Sequence, residues 1–361
     1  MKVAIVHDWF VGGGAERVVE QLHKMYPKAP IYTSYCSPEW HERLSDAEII
    51  TSYMQHWPFS KLRKFLPPLR AWWFSHLDLS GYDLVISSSG AEAKAVKVAA
   101  PAVHINYCHA PTHYYWSRYE EYMASPGFGR LDWLARIGLK LLLGPMRSWD
   151  YKAAQRLTYM IANSNYTKDQ IKKYYGRDSV VIYPPVDIER FTGQADELRR
   201  GFLITGRQTP YKRIDLAVKA CTELAVPLVV IGSGPDNRRL QRLAGKSVTF
   251  LSGKTDEEVV HYFQTSQAFI FPGIDDFGIS AVEALAAGTP VVAYKAGGAL
   301  DYIEPGKTGE FFNEQTAENL AVALKKFKPE NYNHTQIQKS AAKFSPDNFQ
   351  NAIRKYIEKN A

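Results

Sequence analysis

Short apolar runs alternate with amphipathic segments along almost the whole chain. The runs lack the strict polar–apolar alternation of a half-exposed strand, and continuous apolar runs are typical of buried parallel strands. They predict strands at 3–6, 84–87, 103–107, 159–162, 202–205, 228–231, 248–251, 268–271 and 291–293. Segments with helical periodicity lie between them and include 16–25, 150–155, 214–222, 236–243, 256–264 and 279–287. This alternation predicts an α/β protein with doubly wound parallel sheets.

A double proline divides this pattern near its middle. Pro184 and Pro185 can continue neither a strand nor a helix, and the strand–helix alternation restarts after them. A chain of 361 residues is also long for one hydrophobic core. We predict two Rossmann-like domains facing across a cleft: residues 1–184, completed by a C-terminal helix at 345–361, and residues 185–344. Ligands of such sheets bind at the carboxyl ends of the strands.

Composition indicates an ordinary globular protein, with 45% hydrophobic and 22% charged residues. The three scattered cysteines, Cys36, Cys108 and Cys221, favour a reducing compartment over a disulfide framework or a zinc site. The first residues lack the pattern of a signal peptide, and no apolar run has the length of a transmembrane helix. We therefore expect a cytoplasmic protein.

The net charge of +7 is concentrated in the first half, where residues 1–180 hold 22 Lys and Arg against 16 Asp and Glu. Two stretches there, 61–74 and 133–143, mix basic with bulky apolar residues. They predict either a peripheral contact with an anionic membrane, on its inner face, or ordinary core-facing helices with basic outer faces. Nucleic-acid binding would rest on net charge alone, and we do not expect it.

The segment 271–294, FPGIDDFGISAVEALAAGTPVVAY, combines a strand end, a small-residue loop and a helix. Asp275 follows the strand, and Glu283 lies about one turn inside the helix. The backbone N–H groups at the helix start have no intrahelical acceptor and suit phosphate. Carboxylates suit sugar hydroxyls. The segment therefore offers contacts for both halves of a nucleotide sugar.

A second strand end carries cations. Arg207 follows the strand 202–205, and Lys212 lies where the next helix is predicted to begin. Cations at a helix N-terminus oppose the helix dipole, so their presence favours an anion bound between them. Arg can grip a diphosphate with two parallel hydrogen bonds, and Lys adds a mobile charge. The alternative is a solvated helix start.

Two further strand ends are candidates. Gly12, Gly13 and Gly14 follow the first strand and open a helix, which suits close approach of backbone to phosphate. A tight strand-to-helix turn is the alternative, and the dinucleotide fingerprint G-x-G-x-x-G is absent because Arg17 replaces its third glycine. His109 lies at the end of the strand 103–107, where a binding role and a structural role are about equally expected.

Several reaction classes lack their motifs. No D-x-D, H-E-x-x-H or clustered Cys and His is present, so we expect no metal and no other cofactor. No G-x-S-x-G nucleophile elbow is present either.

Together these motifs resemble the retaining glycosyltransferases of family 4, which have the two-domain GT-B architecture. The resemblance covers nearly the whole chain and is most specific at 275–290, the counterpart of the family's E-x7-E element. Asp275 stands where that element has its first glutamate, and its side chain is one methylene shorter. The segments HDWFVGGGAERVVEQL and CHAPTHYYWSRYEEY are most similar to bacterial surface-polysaccharide mannosyltransferases.

The resemblance implies a role for each matching residue. Arg207 and Lys212 would bind the donor diphosphate and stabilise the leaving group. Glu283 would hold the ribose, Asp275 the hydroxyls of the transferred sugar, and His109 the sugar near its reacting face. The remaining donor contacts would come from Gly13, Gly14, Lys254, Phe277, Gly278 and Ile279.

The implied activity is transfer of a hexose, in the closest branch mannose from GDP-mannose, to a glycan or lipid-linked glycan acceptor. The alternatives are a UDP- or dTDP-sugar donor, a nucleotide-sugar epimerase, and a nucleotide-sugar binder without activity. A nicotinamide-dependent oxidoreductase is disfavoured by the failed glycine fingerprint.

Overall fold

A computed structural model describes residues 1–124, 126, 129–193 and 198–361 of the protein, and the side chains of Lys64 and Arg130 lie outside the described part. The chain divides into two compact units, which we call the N-terminal and C-terminal domains. The N-terminal domain comprises Met1–Pro185 and Asp347–Ala361, and the C-terminal domain comprises Val186–Pro346. The divisions lie one and two residues from the predicted positions.

The N-terminal domain contains a seven-stranded parallel sheet in the order β3-β2-β1-β4-β5-β6-β7. Its strands are β1 (Val3–His7), β2 (Ile31–Thr33), β3 (Ile49–Thr51), β4 (Leu84–Ser89), β5 (Val103–Cys108), β6 (Tyr159–Ala162) and β7 (Val180–Val181). Its helices are α1 (Ala15–Met25), α2 (Pro38–Arg43), α3 (Phe59–Leu62), α4 (Pro67–Ser75), α5 (Tyr119–Ala124), α6 (Asp132–Gln155) and α7 (Asn165–Tyr175), with α14 (Pro346–Asn360) added from the chain's end.

The C-terminal domain contains a six-stranded parallel sheet in the order β10-β9-β8-β11-β12-β13. Its strands are β8 (Phe202–Thr205), β9 (Leu228–Ile231), β10 (Val248–Leu251), β11 (Ala268–Phe271), β12 (Val291–Tyr294) and β13 (Gly309–Phe312). Its helices are α8 (Ile214–Glu223), α9 (Asn237–Leu243), α10 (Asp256–Thr265), α11 (Ile279–Ala286), α12 (Ala317–Lys326) and α13 (His334–Ala341).

The C-terminal helix α14 packs on the core of the N-terminal domain. Phe349, Ile353 and Ile357 recur every four residues, as one face of a helix requires, and all three are buried. They belong to the same apolar cluster as Ile5 of β1 and Ile105 of β5. The last segment of the chain therefore contributes to the domain in which the chain begins.

The hydrophobic pattern did not predict four short strands, and it predicted one long helix only in part. β2, β3 and β7 have only two or three residues, too few to show a period, and β13 begins with a glycine. Helix α6 runs from Asp132 to Gln155, whereas the sequence predicted a helix at 150–155 and, separately, an interfacial or core-facing helix at 133–143. The two parts were not joined because Gly144 and Pro145 weaken the helical signal between them.

Candidate functional site

The strand order of the C-terminal domain places two of the predicted motifs side by side. β8 and β11 are neighbours, and the chain runs outward from this pair to β9 on one side and β12 on the other. Loops that follow the two strands therefore diverge and leave a crevice at the carboxyl edge, where doubly wound sheets bind ligands. Arg207 and Lys212 follow β8, and Asp275 follows β11.

The β8 loop carries a cluster of positive charge. Arg207 is exposed and donates from Nη2 to the hydroxyl of Tyr211 over 3.5 Å, while the Nζ of Lys212 lies 5.6 Å from the centre of the Tyr211 ring. Burial raises the pKa of Tyr211, but the charges of Lys212 and Arg207 outweigh it and lower that pKa below its ordinary value. The positive potential felt by Tyr211 suits an anionic ligand.

Lys212 and Asp275 form an ion pair that joins the two loops. The two residues are 63 positions apart in the chain, so the pairing was not visible in the sequence. Asp275 is largely buried, and Lys212 is its charge partner across the crevice. An anionic ligand that binds the Lys212 ammonium group would share it with this carboxylate. Any chemical group attached to that anion would then lie next to Asp275.

A second link fixes the position of the β8 loop. Arg213 has a left-handed backbone with φ 52°, ends the short 3-10 turn Pro210–Lys212, and precedes α8. Its Nη1 donates to Oε1 of Gln315 over 3.2 Å, and Nε2 of Gln315 donates to the carbonyl of Pro272 over 2.9 Å. The Arg213–Gln315 bridge therefore ties the cationic loop to the end of β11.

The loop between β11 and α11 is held from its carbonyl side. The N–H of Gly298 donates to the carbonyl of Asp275 over 2.9 Å, and the Tyr302 hydroxyl donates to the carbonyl of Phe277 over 2.8 Å. Gly278, with φ 93°, precedes Ile279, the first residue of α11. These carbonyl contacts fix the loop, and the first N–H groups of α11 have no intrahelical acceptor.

Gly278→Ala is expected to damage this loop more than the backbone angle alone would. A Cβ at Gly278 would lie 2.6 Å from both the Phe271 ring and the Tyr302 hydroxyl. The left-handed backbone adds a cost of about 1–3 kcal/mol. We expect a lower melting temperature and weaker binding of nucleoside diphosphate, measured by scanning fluorimetry and titration calorimetry.

Gly306→Ala is the matched control for this prediction. Gly306 also has a positive φ, 75°, but no heavy atom lies within 4 Å of a Cβ built there. It should lower stability modestly and leave nucleotide affinity unchanged. Equal losses of affinity in the two variants would show that the close packing at Gly278 has no bearing on the ligand site.

Glu283 of α11 lies one turn from the helix start and is mostly buried. Its Oε1 is 3.7 Å from Nη2 of Arg190, whose Nη1 donates to Asp256 at the start of α10 over 2.5 Å. Arg190 was not among the predicted site residues. It follows the Val186-Asp187 segment, and neither periodicity nor motif spacing distinguishes it from a surface arginine.

Lys254, the predicted base contact, forms an ion pair with Glu258 of 2.6 Å. Glu258 also closes a capping box with Thr255 at the start of α10. The hydrogen bond from Lys254 lowers the pKa of Glu258 and raises that of Lys254. The structure thus gives Lys254 a partner within its own helix start, and its contact with a base remains a prediction.

The glycine loop of the N-terminal domain is folded around its own acid. Oε1 of Glu16 accepts from the N–H groups of Val11 and Gly12 over 3.2 and 3.0 Å, and a Cβ at Gly13 would lie 3.1 Å from Oε2. Gly14 immediately precedes α1. A phosphate would meet this carboxylate near Gly12 and Gly13, so the donor role of Gly13 and Gly14 remains a prediction.

Two other groups stand at the same edge of the N-terminal sheet. Nε2 of His109 lies 2.8 Å from the hydroxyl of Ser88 at the end of β4. Asp8, directly after β1, accepts from the N–H groups of Gly90, Ala91 and Ala93 over 2.8, 2.9 and 2.7 Å. Sequence reasoning missed Asp8. Its contacts fix the loop after β4, which places His109 beside a rigid backbone.

No metal-binding cluster is found in the described ranges, since nowhere do three or more His, Cys, Asp or Glu side chains converge in a way that could hold an ion. The predicted absence of a metal remains a prediction. All three cysteines are buried and are thiols rather than disulfide partners.

Two family models match the chain. The model for glycosyltransferase family 4 matches residues 12–190, and that for glycosyl transferases group 1 matches residues 185–344. The two regions correspond closely to the two domains.

Curated relatives and solved structures agree with these matches. D-inositol 3-phosphate glycosyltransferase of Rhodococcus opacus is 29% identical over 197 residues, 46% of this chain and 44% of that protein. A GDP-mannose-dependent alpha-mannosyltransferase of Mycobacterium tuberculosis is 34% identical over 137 residues, 34% of this chain and 35% of that protein. The chain thus spans less than half the length of either relative.

Solved structures match over the full length. HepE of Anabaena, in complex with UDP, has a TM-score of 0.72 at 18% identity over 99% of this chain and 100% of its own. Sucrose-phosphate synthase of Thermosynechococcus elongatus has a TM-score of 0.74 at 16% identity over 99% of both chains. These likenesses confirm the predicted GT-B fold. With its family 4 and group 1 regions, the chain belongs to the GT-B glycosyltransferases.

Proposed function

We propose that the protein transfers mannose from GDP-mannose, with retention of anomeric configuration and without a metal ion, to a glycan or lipid-linked glycan acceptor. The observation that carries the proposal is the cationic loop of Arg207 and Lys212 beside Asp275, at the crevice between β8 and β11. The mannose donor is supported by the names of relatives that are GDP-mannose-dependent mannosyltransferases.

The cationic loop fits the chemistry of a nucleotide leaving group. Negative charge grows on the diphosphate as the bond between the sugar C1 and the phosphate oxygen breaks. Fixed cations and N–H donors aimed at such charge are usually the largest catalytic contribution, worth about 3 kcal/mol for one donor. Arg207 and Lys212 supply the cations, and the first N–H groups of α11, at Gly278 and Ile279, supply donors.

The two acids divide the remaining donor contacts. Lys212 pairs with Asp275 in the crevice, so a sugar attached to a phosphate at Lys212 lies near this carboxylate, and Asp275 accepts its hydroxyl hydrogens. Glu283 takes the ribose hydroxyls. Arg190, close to Glu283, orients that carboxylate.

We assign no protein side chain as a nucleophile. Retaining glycosidases place a second carboxylate about 5 Å from the acid, beneath the sugar. Here Asp275 is instead engaged by Lys212. We infer attack on the same face that the diphosphate leaves: the acceptor oxygen bonds to C1, the C1–O bond to phosphate breaks, and the acceptor's proton passes to a phosphate oxygen of the departing GDP.

A panel of sugar nucleotides tests the donor. GDP-mannose at 100 times its Kd is expected to stabilise the protein by about 2.7 kcal/mol, visible as a rise in melting temperature, whereas UDP- and dTDP-sugars at the same concentration give smaller shifts. An equal or larger rise in melting temperature with a UDP-sugar would refute GDP-mannose as the donor and indicate that sugar nucleotide instead. Conversion of a free sugar nucleotide without acceptor would instead identify an epimerase.

Two further measurements test the stereochemistry and the absence of a metal requirement. NMR of the new linkage should show the anomeric configuration of the donor, and turnover should persist in excess EDTA. Inversion, or loss of turnover that Mg²⁺ restores, would refute the corresponding part of the proposal.

A further inference from the structure

Helix α6 presents two apolar faces. Met146 and Ala153 are buried in the N-terminal domain, where Met146 packs with Ala71 of α4 and Tyr115. At roughly 100° per residue, these positions mark the core-facing side. Four large apolar side chains of the helix lie on the other side and are exposed, namely Trp133, Leu134, Ile137 and Leu141. The helix therefore has an outward apolar face that its own domain leaves uncovered.

A second set of exposed apolar residues lies on another segment of the same domain. It comprises Trp57, Phe59, Leu62, Phe65, Leu69 and Trp72, on the segment that ends with α4. Ala71, adjacent to Trp72, packs against Met146 of α6 in one apolar cluster with Leu143 at its edge. The two sets thus occupy neighbouring elements of one domain. We call them together the apolar rim.

Several side chains of the apolar rim keep most of their solvent-accessible area. Trp57 retains 76% of its accessible area, Leu141 73% and Trp133 60%. Isolated apolar residues on a surface are ordinary, but Trp133, Ile137 and Leu141 recur every four residues on one helix face, and a contiguous apolar patch marks an interaction site. The sequence alternative, in which both stretches are core-facing helices, therefore does not account for these side chains.

Basic residues outnumber acidic ones in the apolar rim. The segment 57–77 has four basic residues and no acidic one, but Arg70 is buried in an ion pair with Glu92, and the segment 133–149, preceded by Asp132, has three basic residues and no acidic one. Lys140 is exposed, and Arg136 donates to the carbonyls of Met123 and Ala124 over 2.8 and 3.0 Å. Trp and Leu beside Lys and Arg are the composition of helices that lie in a bilayer interface.

We propose that the apolar rim seats the N-terminal domain on a bilayer with anionic headgroups. The aromatic and leucine side chains enter the boundary between headgroups and acyl chains, while the exposed Lys61 and Lys140 meet the lipid phosphates. No helix in the described ranges is long and apolar enough to cross a membrane, and the proposed contact lies along the surface. The proposal does not depend on the identity of the sugar donor.

Vesicle flotation tests the proposal. The full-length protein should float with vesicles of equal parts phosphatidylcholine and phosphatidylglycerol at low salt, and less with phosphatidylcholine alone. The double variant Trp133→Glu/Leu141→Glu should lower partitioning by roughly tenfold or more, because it removes two side chains from the apolar contact and adds two negative charges. Lys140→Glu should weaken binding to the anionic vesicles only, and added salt should reproduce that loss.

The controls separate lipid binding from misfolding and from self-association. Val322→Glu replaces an apolar side chain that is 49% exposed on α12 of the other domain, and it should bind vesicles like the unchanged protein. Chromatography with light scattering should show the same mass for the unchanged protein and the double variant.

The proposal fails if the unchanged protein stays unbound at low salt, or if Val322→Glu loses binding as much as the double variant does. It also fails if the unchanged protein is an oligomer that the double variant dissolves, since a second copy then covers the rim. Retained turnover of the double variant on a water-soluble acceptor would separate the membrane contact from glycosyl transfer.

Discussion

Alanine at Arg207 or at Lys212 is expected to lower kcat by roughly 10²–10³-fold, with a much smaller loss of donor affinity. Both cations act on charge that grows as the diphosphate departs, so their effect is greatest in the transition state. Steady-state turnover with GDP-mannose measures kcat, and calorimetric titration with GDP measures binding in the same variants. Near-normal turnover in both variants would refute the assignment of the cationic loop.

The two substitutions differ in what else they disturb. Arg207 is exposed and touches the Tyr211 hydroxyl at 3.5 Å, so Arg207→Ala should leave the melting temperature unchanged. Lys212→Ala removes the charge partner of the largely buried Asp275 and should also lower stability. A large fall in kcat at an unchanged melting temperature in Arg207→Ala therefore isolates the catalytic contribution.

Arg242→Ala provides the matched control for Arg207→Ala. Arg242 is an exposed arginine of the same domain, and its Nε donates to the carbonyl of Arg238 over 3.2 Å within α9. Helix α9 follows β9 and not β8. Arg242→Ala therefore removes one positive charge from the same domain but outside the β8 loop. A comparable fall in kcat for this variant would mean that overall charge matters more than position.

The sequence predicted the strands well because parallel strands buried on both faces are continuous apolar runs. β8, β9, β10 and β11 have the predicted bounds. Arg207 and Asp275 could be predicted as site residues because they are polar residues that come soon after correctly predicted strands. Adjacency of β8 and β11 then follows from strand order, which a doubly wound topology constrains.

Contacts between distant polar residues could not be predicted in the same way. The Lys212–Asp275 pair and the Glu283–Arg190 approach depend on how loops turn after their strands, and no periodicity encodes this. Asp8 was missed because one acid after a strand does not reveal that three N–H groups will surround it. The sequence showed that the first part of α6 mixes basic and bulky apolar residues. Only the packing of Met146 shows which side of the helix is buried.

The N-terminal domain also contains a buried ionic network that the sequence did not reveal. Nζ of Lys94 lies 2.6 Å from Oδ1 of Asp150, and both side chains are almost completely buried. Burial lowers the pKa of Lys94, but the attraction of Asp150 outweighs it, and that pKa is raised. Asp150 also accepts hydrogen bonds from Thr112, Trp116 and Tyr175 over 2.9, 2.8 and 2.7 Å. This one carboxylate therefore joins α6 and α7 to the loop after β5.

Asp150→Ala is expected to destabilise the N-terminal domain by about 3–5 kcal/mol, because the buried ammonium of Lys94 loses the carboxylate that it pairs with directly. All eight tryptophans of the chain lie before residue 150, within the N-terminal domain. Tryptophan fluorescence during denaturant unfolding therefore reports this domain alone, and the shift of its midpoint measures the effect.

Two comparison variants make the Asp150 prediction specific. Asp178→Ala breaks the pair with Lys172, whose side chains are 94% and 61% exposed, and it should leave the midpoint unchanged. Lys94→Met/Asp150→Leu removes both charges and should recover part of the loss, since no buried charge is then left unpaired. If Asp150→Ala unfolds at the same midpoint as Asp178→Ala, the buried network adds no stability to the domain.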